Sequence, residues 1–493
     1  MINLAENKNI RRLSIGMIIM FFTNLFFNSL LIGGRWDLNE QIAFGERLSN
    51  GFSGYAKGTI DLFFPSSPYF PGAGYLSYFY KLIGIDSLYA INQLMLFTAV
   101  AIGFLYFILL RKLTLSLYPK LSANLVTTIL ILLYATHFKV YMIYMMEFKP
   151  DTVLLVIAVL SFLSLEINKK PSALQLITVG VSLFAVTFFK QSFFIVFFFV
   201  FTLIFLNAHF SLKEKARIIL LYGLTGIFAL YLIFNVAGIY YFSVEVMGQH
   251  PMLDMKAITT FFILGIKSNI IFILILLFSL IKRFKMFSVS SPESKYLIFA
   301  LLWFVFSAVS TAKLGGNSGN LEVGLIVFIP FVIDSVDHFL NRFYSKKVFL
   351  IGAYFFLLMG TFVYSYKTVS TFRRLIFKIN DDNTSIAFLS ENFRNKKAFI
   401  DGNTYIIAEM SDMQVVTELE TLAHFNNVAG YDFHRLKDAL KAKKYDLLFL
   451  SQPDIFYIFE DKNIGKLVEK NYTIYENLDM PVSLKGKILI PKK

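Results

Sequence analysis

Cysteine is missing from all 493 residues. That removes a disulfide framework, a Cys-rich zinc site and thiol catalysis together. It also fits exposure outside the cytoplasm, without requiring it. A clustered basic face is missing as well. The net charge is +14, yet Lys and Arg fall in small groups along the chain, so nucleic-acid binding is not supported. The tail beyond Tyr366 contains neither GxGxxG nor GxxxxGK[ST], which argues against nucleotide binding there. No small-residue cleavage site follows "MINLAENKNIRR", so the first apolar helix is expected to be retained and not removed as a signal peptide. No clear internal repeat is visible.

What is present is apolar. The chain is 56% hydrophobic, with mean hydropathy +0.61 and 57 Phe. Soluble proteins are about 45–50% apolar, so this composition points to a polytopic membrane protein. Runs near the bilayer-spanning length recur at 13–33, 88–110, 121–138, 151–167, 172–188, 192–208, 216–237, 260–281, 295–312, 321–340 and 348–365, about eleven spans in all. Basic groups fix an orientation. Lys8, Arg11 and Arg12 precede the first span; Arg111, Lys112 and Lys120, Lys169 and Lys170, Lys213, Lys215 and Arg217, Lys282, Arg283 and Lys285, and Arg342, Lys346 and Lys347 mark every second loop. All fall on one side if the N-terminus is cytoplasmic. The fold class expected is therefore an all-α polytopic membrane domain over 1–365, with a small extracytoplasmic α/β domain over 366–493. In that tail "KKAFID", "MQVVTE", "YDLLFLS", "YTIYEN" and "GKILIP" read as strands, and "SIAFLSENFRN", "FHRLKDALKAKK" and "NIGKLVEK" as helices between them.

The first outer loop, 34–87, is the longest, and a loop that long is normally functional or has structure of its own. "DLNEQIAFGERLSN" can form an interfacial helix with Leu38, Ile42 and Ala43 on one side and Asp37, Glu40 and Gln41 along one face. A second helix is expected in "YFPGAGYLSYFYKLIG", whose Tyr69, Tyr75, Tyr78 and Tyr80 suit a membrane-interface belt. Asp37 reads either as a capping or snorkelling acid at a membrane boundary or as a general base at the bilayer surface.

Other outer-side groups carry similar alternatives. In "MMEFKPDTVLL", Glu147 and Asp151 lie where one span returns as the next. Asp151 is either a dipole-favoured acid at a helix start or a second site carboxylate, holding the acceptor or a divalent metal ion. Lys190 in "VTFFKQSFF" is either an interfacial lysine or, with Gln191, a point-charge partner for an anionic lipid headgroup. His250 in "VEVMGQHPMLDM" is a surface residue, a phosphate contact or a metal ligand. "STAKLGGNSGNLEVGL" brings Lys313, paired glycines, Asn317, Asn320 and Glu322 to the same side, as an ordinary turn or an anion-binding one. One topology places all of these on one face.

These features together resemble the polytopic membrane glycosyltransferases of the C superfamily, which include protein O-mannosyltransferases and bacterial aminoarabinose transferases. The likeness rests on Asp37 in "GGRWDLNEQIAFGERLSNG", the following "FFPSSPYFPGAGYLSYFYKLIG", the "FKPD" opening span four, the turn "TFFKQS", and the late "AKLGGNSGN". The chain departs from the commonest pattern in two places. Leu38 follows Asp37, with Glu40 three positions after it, and "FPSSPYFPG" stands where a double proline is common. The resemblance implies transfer of a sugar, usually with inversion, from a polyprenyl-phosphate carrier to a glycan, lipid or protein acceptor on the outer face of a plasma or inner membrane. It implies Asp37 as base, Asp151 as assistant or metal-site residue, and Lys190, with His250 and Lys313 more loosely, near the donor phosphate. Glu40 and Glu147 would support acceptor or metal. The rival classes are a transporter or flippase of lipid-linked glycans and an O-antigen-type polymerase or ligase. Transporters favour internal repeats and midplane polar groups; polymerases favour a long late outer loop.

Overall fold

The computed structural model describes residues 8–31, 36–49, 72–85, 87–136, 138, 150–165, 170–190, 192–235, 258–285, 287–312, 318–343, 346–401, 404–418, 434–451 and 462–492. Helices dominate them. In chain order they are α1 (Lys8–Leu31), α2 (Trp36–Ser49), α3 (Gly72–Leu82), α4 (Leu88–Leu117) and α5 (Ala123–Thr136). Next come α6 (Pro150–Leu165), α7 (Ala173–Thr187), α8 (Phe193–Leu206) and α9 (Leu212–Asn235). A π-helical turn, Ile258–Phe262, leads into α10 (Ile263–Ser268) and α11 (Ile270–Lys285). Then follow α12 (Pro292–Ala312), α13 (Ser318–Ile326), α14 (Ile329–Phe343) and α15 (Lys346–Phe393). The tail adds β1 (Lys397–Ile400), α16 (Tyr405–Met410), β2 (Gln414–Glu418), α17 (His434–Lys441), β3 (Leu447–Phe449), α18 (Lys462–Asn471), β4 (Tyr472–Ile474) and β5 (Ile488–Pro491).

Every apolar run read as a span from the sequence coincides with a helix or a helix pair. Ala90–Leu117, Leu212–Phe234 and Pro292–Ala312 are long and apolar enough to cross a bilayer as single helices. Two further runs are broken. Ile258–Ser268 and Ile270–Lys285 meet at 77°, and Gly319–Ile326 and Ile329–Arg342 at 63°. A break in an apolar environment frees backbone carbonyls that must find donors. Both do. At the first, Asn269, fully buried, gives its Nδ2 to the Gly265 carbonyl at 3.0 Å. At the second, the buried Tyr296 hydroxyl donates to the Val327 carbonyl at 3.0 Å.

The chain forms two compact units, one of residues 1–27, 98–230 and 251–369, the other of 28–97, 231–250 and 370–493. In the first, α6, α7 and α8 pack on one another, and α8 meets α12 through rings. Phe199 stacks on Phe162 at 6.1 Å and on Phe299 at 4.3 Å, and Tyr296 stands edge-on to Phe162. The high Phe content thus fills an interior, where offset and edge-on ring pairs add to area burial. Trp303 is buried on the same helix and donates to the Val323 carbonyl at 3.1 Å.

Basic residues that orient the chain do not all face solvent. The Arg283 guanidinium pairs with Asp334 at 2.5 Å and lies between the rings of Tyr118 and Phe331, at 4.7 and 5.0 Å. It joins α11 and α14 to the end of α4 and is not a simple headgroup-facing charge.

In the second unit the sheet order is β2-β1-β3-β5-β4. β1 is parallel to β2 and β3, while β5 is antiparallel to β3 and β4. The five strands read in the tail are present, and the three segments read as helices are helical. Two details differ from the sequence reading. "SIAFLSENFRN" is not a separate helix but the end of α15, which runs unbroken for 48 residues. Neither Pro nor Gly occurs between Thr361 and Phe393, so nothing stops it. The short α16 was not anticipated.

Candidate active site

Within the loop 34–87 the described residues form two helices, α2 and α3. α2 and α3 pack against each other at two small-residue contacts. A Cβ on Gly45 would sit 2.6 Å from Ser77 Oγ and 2.7 Å from the Tyr78 backbone nitrogen. A Cβ on Gly74 would sit 2.2 Å from the Phe44 ring. Leu38, Ile42 and Phe44 are buried, and Lys81 forms an ion pair with Glu46 across the two helices. Phe44 meets Tyr75 edge-on at 5.8 Å. Tyr75 is thus partly packed into the helix pair, and burial pushes its phenol pKa up. Asp37 is the second residue of α2, in a first turn where the helix dipole favours a carboxylate. Gln41, one turn further on, is buried, so that face of α2 is not a bare solvent face.

In the other unit, Asp151 and Lys190 come together although 39 residues separate them. Asp151 is the second residue of α6, whose start is set by Pro150 at the first helical position, where the missing N–H is not needed. Lys190 lies in the short turn between α7 and α8. The end of α7 is held there by the Phe188 N–H on the carbonyls of Ala185 and Val186. Lys190 Nζ donates to both Asp151 oxygens, at 2.8 and 2.7 Å. The two side chains are 16% and 10% exposed. Two hydrogen bonds within so enclosed a pair fix the lysine nitrogen in place. Two residues after Lys190 comes Ser192, 1% exposed, whose Oγ has no hydrogen-bond partner among the described residues. The sequence reading passed over Ser192, because a serine after Lys-Gln carries no recognisable pattern.

The remaining expected site residues are placed as follows. Glu147, His250 and Lys313 lie outside the described residues, as do the side chains of Asp37 and Glu40. Glu322, on α13, is 1% exposed. Its neighbour Asn320 donates to the Ser310 carbonyl at 3.2 Å. Among the described residues no group of three or more His, Asp or Glu could hold a metal ion. Asp151 in its present pairing does not fit one either, since both its oxygens face an ammonium.

The helical apolar domain and the small mixed sheet at the C-terminus are similar in fold to three solved structures. ArnT from Cupriavidus metallidurans bound to undecaprenyl phosphate superposes with a TM-score of 0.60 at 9% identity, over 97% of both chains. The same protein in its apo state gives 0.59 at 12% identity, again over 97% of both. The Archaeoglobus fulgidus oligosaccharyltransferase tethered to an acceptor peptide gives 0.51 at 11% identity, over 97% of this chain and 75% of that one. At such identities the likeness is one of fold. No family model matches the sequence, and no curated protein matches it.

Proposed function

We propose that this protein is a membrane glycosyltransferase that moves a sugar from a polyprenyl-phosphate carrier to an acceptor on the outer face of the plasma or inner membrane. The observation that carries the reading is the full-length fold likeness to a protein crystallised with undecaprenyl phosphate, 97% of each chain being covered. The Asp151–Lys190 pair adds an ammonium held in a fixed position, a hydrogen-bond donor of the kind a leaving phosphate requires.

In this reading Asp37 is the base. An acceptor hydroxyl or amine attacks the anomeric carbon while Asp37 takes its proton. The bond from that carbon to the phosphate oxygen breaks, and the electron pair leaves with the polyprenyl phosphate. One base and an activated leaving group suffice for inversion, so no covalent intermediate is needed. Lys190 stabilises the charge that develops on the phosphate. Asp151 acts as a positioning residue: held by two hydrogen bonds to Lys190, it aims the ammonium and is not itself available as a base. His250 and Lys313 are assigned to the donor phosphate more loosely, and Glu40 and Glu147 to support of the acceptor.

The test is transfer from a polyprenyl-phosphate-linked sugar by the purified chain in nanodiscs. Asp37→Asn should abolish transfer while the thermal unfolding profile stays that of the wild type. Undiminished transfer by that variant would remove the mechanism. Movement of the lipid-linked glycan across proteoliposomes without bond formation would favour the flippase reading instead.

A further inference from the structure

The segment between β4 and β5, 475–487, holds apolar side chains out into solvent by construction. Asn477 shapes its tip. The Asn477 Oδ1 accepts from the Asp479 N–H at 2.9 Å, and the Asn477 carbonyl accepts from the Met480 N–H at 3.2 Å. Met480 and Leu484 are buried, which anchors the segment at two points. Between and before those anchors, Leu478 is 101% exposed and Val482 80% exposed. A polar residue at a turn tip would do the same conformational work without exposing apolar surface, so these two side chains call for a partner.

The segment is fastened to α15. Ser483, next to Val482, shares its hydroxyl with Asp381 Oδ1 at 2.9 Å and with Ser385 Oγ at 2.9 Å. One turn before Asp381, on the same helical face, stands Phe377, 74% exposed. Ile376, Phe372 and Val369 are also exposed on α15, and Arg373 and Arg374 are exposed among them. Aromatic and aliphatic side chains interleaved with long cations mark a membrane interface, because the stems bury in lipid while the charges reach headgroups.

Length says where this lies. α15 starts at Lys346, and its stretch Val348–Ser365 contains no charged residue. At about 1.5 Å per residue, Phe377 is roughly 47 Å from Lys346 along the axis. A bilayer with its headgroup layers is about 40–45 Å thick, and spans commonly tilt by about 20°. A helix rooted by Lys346 and Lys347 in one headgroup layer therefore brings Phe377 to the other.

We infer that Phe377 on α15, with Leu478 and Val482 on the 475–487 segment fastened beside it, forms a wedge that seats the C-terminal domain on the lipid headgroup layer. The occupant of this apolar surface is the bilayer itself. The inference stands apart from the sugar-transfer reading and does not need it.

The absence of cysteine makes the test direct. Single-cysteine variants Leu478→Cys, Val482→Cys and, as control, Lys441→Cys on α17 are spin-labelled in the full chain reconstituted into nanodiscs. Accessibility to oxygen, which concentrates in lipid, is compared with accessibility to a water-soluble nickel chelate. The oxygen-to-nickel ratio at Leu478 and Val482 should exceed that at Lys441 severalfold. Ratios equal to the control would overturn the wedge. So would labels shielded from both agents, because a protein surface and not lipid would then cover the segment.

Discussion

At the residue scale the decisive contact is the Asp151–Lys190 pair. Neither residue is unusual in the sequence: one is a helix-start acid and the other a lysine in a turn. What the sequence could not show is that each is the other's partner, since no local pattern links positions 39 apart. The sequence offers Lys190 an anionic headgroup as partner; the structure adds Asp151 as a second one. Removing one partner strands a charge in a site only 10–16% exposed. Lys190→Ala and Asp151→Ala should each lower stability by about 3–5 kcal/mol, read as a fall in the thermal unfolding midpoint. Replacing both by apolar residues of similar size, Asp151→Leu with Lys190→Met, should recover most of that loss. If the pair also serves chemistry, the double variant regains stability but not sugar transfer. Arg283 teaches a related lesson. The sequence treats it as an orientation signal, and the fold uses it as a bridge between two rings and Asp334.

At the element scale, most of the architecture was legible because hydrophobic length and period are local properties. The tail strands were visible for the same reason: short β-rich runs such as "YDLLFLS" alternate with amphipathic stretches. Helix breaks were not visible. "ILGIKSNIIFIL" reads as one apolar run, and the 77° bend depends on a tertiary environment that buries Asn269. The packing of α2 on α3 was half visible. Two helices are expected from the sequence, but their interlock rests on Gly45 and Gly74, to which the sequence reading gives no role. Gly45→Ala must displace Ser77 or the Tyr78 backbone, so it should destabilise the helix pair by about 1–3 kcal/mol. Limited proteolysis reads this directly, as faster cleavage within 36–82. Gly223→Ala, where an added Cβ meets nothing within 4 Å, is the matching control and should leave the cleavage rate unchanged.

At the scale of the whole molecule, the orientation rests on charge bookkeeping along the loops. It predicts that Lys112→Cys and Lys441→Cys are labelled from opposite sides of the membrane by an impermeant thiol reagent, with Lys441→Cys reached from outside in intact cells. Labelling of both from one side would reverse or break the topology and take the outer-face mechanism with it.

The two helices that flank Lys190 are short. α7 has 15 residues and α8 has 14, each with both ends defined. They rise about 22 and 21 Å, against a hydrocarbon thickness of about 30 Å. That is a hydrophobic mismatch, and a bilayer answers it by thinning or by dipping its headgroups toward the shorter helices. In the proposed reading, with α7 and α8 crossing the bilayer, the turn carrying Lys190 lies below the level at which full-length spans exit, and a carrier phosphate meets it where the headgroup layer dips.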